Sequence, residues 1–75
     1  APLDAVPALI EYLESLNAKV ERFDSVSENV TLAVIKTLGA IGDKSAFDSL
    51  LAVTYYSYPQ SVLSAARDAL SNLRW

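Results

Sequence analysis

Cysteine and histidine are both absent from this chain. Without thiols there is no disulfide framework, and zinc sites built on thiolate or imidazole are excluded. The side chain that most often serves as a general base near neutral pH is missing as well. No apolar run approaches the ~18 residues that span a bilayer. No positively charged stretch leads into an apolar one at the start, so neither a membrane partner nor a signal peptide is expected. These absences leave the compartment open, with the cytoplasm slightly favoured. Clustered basic charge is lacking too. Lys19, Arg22, Lys36, Lys44, Arg67 and Arg74 are scattered along a chain of net charge −3. Nucleic-acid binding draws its affinity from Lys and Arg gathered against phosphates. Residues 1–28 instead hold Asp4, Glu11, Glu14, Glu21, Asp24 and Glu28 against Lys19 and Arg22, and no nucleic-acid ligand is expected.

What is present in abundance is apolar surface: 52% of 75 residues. A domain this small has a high surface-to-volume ratio and hides that many side chains with difficulty. A piece of a longer array or a self-associating chain relieves the excess, as does an unusually well-packed bundle. The first two are favoured, with a homodimer as one form of the second.

Only two glycines and three prolines punctuate the chain, and they fall where helix ends belong. A first helix is expected from an Asp4 N-cap, with Pro7 in its first turn where a missing N–H costs nothing. Leu9, Leu13, Leu16, Val20 and Phe23 recur at steps of four and three, one continuous helical stripe. That stripe carries the helix to about residue 23. Ser25 and Glu28 have the spacing of a capping box for a second helix ending near Ile41, with Gly42 as its left-handed stop. Asp43 or Ser45 then caps a third helix bearing Phe47, Leu50, Leu51 and Thr54. Pro59 biases Tyr58 away from helical angles. A fourth helix, from Pro59 or Ser61, buries Val62, Ala65, Ala66, Ala69, Leu70 and Leu73. The expected class is all-α, one domain over residues 1–75.

The chain also repeats itself. Residues 4–10 align with 45–51, while Val30, Ala33, Leu38 and Ile41 align with Val62, Ala65, Leu70 and Leu73. Unit one runs from about 4 to 41 and unit two from about 44 to 75. The first unit has nine more residues between its arms, since the two offsets are 41 and 32.

Val30, Ala33, Leu38, Gly39, Ile41, Gly42 and Asp43 follow a V-R-x-A-A-x-A-L-G-x-I-G-D pattern, and Ala5 to Ile10 read A-V-P-A-L-I. In these residues the chain resembles the HEAT repeat family, in its short bacterial form first associated with bilin lyases. The resemblance covers nearly the whole chain except about residues 17–26. It implies two antiparallel helical hairpins, four helices in all, stacked as a fragment of an α-solenoid. The implied function is a non-catalytic protein–protein interaction or scaffold module, with no cofactor. An accessory or chaperone-like subunit related to bilin lyases is the alternative. The basic residue that usually follows the opening valine is Thr31 in one copy and Leu63 in the other. That weakens a polar ladder through Asp43 and favours an N-cap role for it.

Candidate partner-binding residues follow from the helical wheel. Leu32, Ile35 and Gly39 form a second apolar stripe on helix two, with Lys36 beside it. The aligned positions of helix four are polar: Ser64, Arg67 and Ser71. Either the longer first arm and its connection fold back over that stripe, or it meets a partner on the concave face the resemblance assigns to second helices. Tyr55, Tyr56 and Tyr58 gather at one corner, and tyrosine is enriched in binding hot spots; ring packing over helix ends is the plainer reading. Trp75 either covers a core edge or meets a further repeat. Glu11, Glu14 and Glu21 read as a solvated helix face, and no histidine or Gly-rich loop supplies a catalytic partner for the serines.

Overall fold

A computed structural model describes residues 5–74; the Asp4 cap and Trp75 lie outside the described residues. Four α-helices follow in order: α1 (Val6–Glu21), α2 (Glu28–Ile41), α3 (Phe47–Val53) and α4 (Gln60–Ser71), with a 3-10 turn at Lys44–Ala46 before α3. The chain is all-helical, and no strand occurs among the described residues.

The helix ends show local chemistry at work. Pro7 sits in the opening turn of α1, as its fixed φ favours. At the other end of α1, the Phe23 N–H donates to the Val20 carbonyl at 2.9 Å and the Asp24 N–H to the Lys19 carbonyl at 2.8 Å. Those two bonds make a Schellman stop, whose left-handed position is ordinarily glycine. Phe23 occupies it, at φ 63°. The helix therefore ends at Glu21, two residues short of the expected stripe, and Phe23 swings outward to 91% exposure. The second cap also moves. Ser27, extended at φ −72° and ψ 122°, accepts from the Val30 N–H at 3.3 Å, so the Ser25–Glu28 box does not form. The Glu28 carboxylate instead accepts a hydrogen bond from the Ser61 hydroxyl on α4. Thr31, where the family pattern has a basic residue, is fully buried because its hydroxyl donates to the Ser27 carbonyl at 2.7 Å.

Gly42 stops α2 at φ 74°, as expected, with its N–H on the Leu38 carbonyl. Asp43 caps the following turn, its carboxylate accepting from the Ser45 N–H at 2.8 Å. That bond, foremost, holds the Asp43 pKa below its ordinary value, and the Arg74 and Lys44 charges add to it. The end of the chain returns to this corner. Arg74 donates its backbone N–H to the Gly42 carbonyl at 2.8 Å and its guanidinium to the Ile41 carbonyl at 2.7 Å. An otherwise unbonded helix end is thereby satisfied.

Packing runs α1 on α2, α3 on α4, α1 on α3 and, most extensively, α2 on α4. Leu13, Ile35, Leu38, Leu50, Val53 and Val62 are essentially inaccessible and form one core. Each contributes about 1.5–3 kcal/mol by leaving water. The α2–α4 crossing is unusually close. A Cβ placed on Gly39 would lie 2.8 Å from the Ala69 Cβ, so only glycine opposite alanine permits the approach.

Candidate functional site

The second stripe of α2 is an internal seam. Ile35 is fully buried, Gly39 is buried against Ala69, and Leu32 is half-buried against the core. The expectation that these residues form a free surface fails for Ile35 and Gly39. Helix α4, rather than the far end of α1, provides the cover at Gly39 because two small residues let the backbones meet. Lys36 remains exposed on α2, and Arg67 on α4. On the rest of α2, Val34 and Leu38 are buried in the core, while Val30, at 40% exposure, and Thr37 are exposed.

The three corner tyrosines take three different roles. Tyr58 is buried, and its hydroxyl donates to the Asn17 Oδ1 at 2.7 Å. Asn17 in turn donates through Nδ2 to the Ser49 carbonyl at 3.4 Å. This buried relay ties α1 to α3 and to the turn before Pro59. Tyr56 is half-buried with its hydroxyl 3.4 Å from the Glu21 carboxylate. Tyr55 is 76% exposed. The tyrosine cluster thus supplies one free ring, not three.

Burial, with the neighbouring Tyr56 adding to it, pushes the Tyr58 pKa from 10.0 up to about 12. The neutral phenol is the form the fold stabilises, so its contribution is complete below pH 10 and is lost as pH rises from 10 through 12. Tyr58→Phe leaves the Asn17 acceptor without its buried donor and is expected to cost about 1–3 kcal/mol at neutral pH. Urea unfolding across pH 8–12 checks both points: the variant starts lower and shows a shallower alkaline decline than the parent.

Where the α1–α2 and α3–α4 connections come together, a groove of about 320 Å³ opens. Val20, Val26, Tyr58 and Pro59 give it an apolar lining, Asp24 and Ser57 add polar groups, and Phe23 forms part of its wall. Sequence reasoning placed Phe23 in the core. The signal it lacked was the left-handed backbone, which turns the ring from the stripe toward water. A non-glycine residue held in that conformation costs about 1–2 kcal/mol, so an exposed aromatic there is neither a packing residue nor the best local choice. Among the described residues no group of three acidic, cysteine or histidine side chains is disposed to hold a metal ion.

No family model matches this chain, and neither does any curated protein or solved structure.

Proposed function

We propose that this chain is a non-catalytic protein–protein interaction or scaffold module of the HEAT-repeat type, two helical hairpins laid side by side. Three features support the arrangement. First arms pack together (α1 on α3), second arms pack together (α2 on α4), and the two hairpin connections border one groove. The contrast between the second arms also acquires a reason. In the first unit the stripe is apolar, with Gly39 against Ala69 of α4, Ile35 buried and Leu32 half-buried. In the second unit the aligned Ser64, Arg67 and Ser71 are exposed, and they are polar. One stripe is a seam and the other a solvated face.

The observation that carries the interaction role is Phe23: an aromatic side chain 91% exposed, in a backbone conformation suited to glycine, beside an apolar groove. Strained backbone positions cluster at binding and switch sites, and an exposed ring beside an apolar groove is suited to contact with something else. Phe23→Gly relieves the backbone and is expected to stabilise the fold by about 0.5–1 kcal/mol while weakening association. A photo-crosslinking phenylalanine analogue at position 23 or 55 should give a discrete adduct, either a second copy or another protein, that Ser15 labelling does not give. Sedimentation of the parent at tens of micromolar separates the homodimer from a foreign partner. Absence of adducts from both loop positions, with no self-association, overturns the reading.

A further inference from the structure

We propose that the groove between α1 and α3 recognises an arginine-bearing basic segment of a partner protein. The groove measures about 240 Å³. Glu14 and Glu21 lie two turns apart on one side of it, Asp48 stands on α3, and Ala18, Ser49 and Ala52 are among its small lining residues. No lysine or arginine lines it. Small side chains leave room for a long aliphatic stem, and acids on both helices meet the charge at its end.

Two of the three carboxylates are uncommitted. Glu14 and Asp48 have no hydrogen-bond or ion-pair partner among the described residues, while Glu21 has only the 3.4 Å contact with the Tyr56 hydroxyl. A second and independent sign comes from Ser49. The residue is 4% exposed, yet its hydroxyl bonds to nothing among the described residues. No completely inaccessible side-chain polar atom lacks a partner, so that hydroxyl keeps some accessible surface, and Ser49 is among the residues that line the groove. A nearly buried hydroxyl without a partner among the described residues, in the lining of the same groove as Glu14 and Asp48, is suited to a donor that arrives from outside. A guanidinium carries five such donors in a planar fork and fits spaced oxygens better than a compact ammonium does. The carboxylates do not converge as a metal site requires, but their spacing along two helices suits an extended segment with separated charges.

This rests on the interaction-module reading only in making the ligand a protein, and its test is independent of crosslinking from the loop end. The probe is a blocked (Arg-Gly)4 peptide titrated into the isotope-labelled chain, followed by amide shifts. Shifts confined to 14–21 and 48–56 are expected, with binding that weakens as salt rises. Glu14→Gln with Asp48→Asn should weaken binding about tenfold, and Ser49→Ala about three- to fivefold, since each removes partners for the same cation. Glu11→Gln with Asp68→Asn, outside the groove, should leave it unchanged. Shifts spread over every acidic surface, an unaffected Ser49→Ala variant, or equal binding of spermine would each overturn the proposal. The spectrum of every variant reports its folding at the same time.

Discussion

Replacing Ile35 by alanine is expected to remove about 2–5 kcal/mol of folding stability, because it empties a fully enclosed site between packed helices. A chain of 75 residues has about 4–11 kcal/mol in total, so this one change brings the protein close to unfolding. The same substitution on a solvent-facing partner surface would fall within about 0.5 kcal/mol of the parent. Urea denaturation followed by helical circular dichroism decides between them. A midpoint unchanged by Ile35→Ala would return that residue to the surface and break the α2–α4 seam.

Gly39→Leu is the second large effect. The Cβ position alone lies 2.8 Å from the Ala69 Cβ and 2.9 Å from its Cα, and the second of these is backbone that cannot rotate away. The helices must separate along their most extensive contact. Overpacking of this kind costs about 1–3 kcal/mol and occasionally more, and leucine at this site should reach the top of that range. Gly39→Ala meets the same Cβ obstruction without leucine's further side-chain atoms, so its net loss is smaller. The order parent, alanine, leucine in thermal midpoint is the expected result. Glycine at this position is a packing device, and a stable Gly39→Leu variant would show the crossing to be looser than described.

Much of the secondary structure was legible before any coordinates. Gly42, Asp43 and Pro59 mark chain turns whose chemistry is local: a left-handed residue, a carboxylate within reach of a nearby N–H, and a ring that fixes the backbone. The caps that moved did so for reasons no wheel contains. Two Schellman bonds close α1 before Phe23, and Glu28 finds Ser61 on another helix instead of its own cap. Periodicity showed that α2 is apolar on two sides, which means two neighbours, but could not say which. The candidate surface was hardest to read. Burial of Tyr58 and the place of Ser49 in a groove depend on residues distant in sequence, and exposure of Phe23 on a left-handed backbone that periodicity does not register.

By itself, then, the sequence determined an all-helical chain, its four helices and the Gly42 stop, since these follow from period, turn chemistry and caps acting over a few residues. Only the tertiary structure decided which apolar stripe becomes interior. A stripe is buried when another backbone can come near it, and here that depended on Gly39 meeting Ala69 across a sequence separation that no local rule spans.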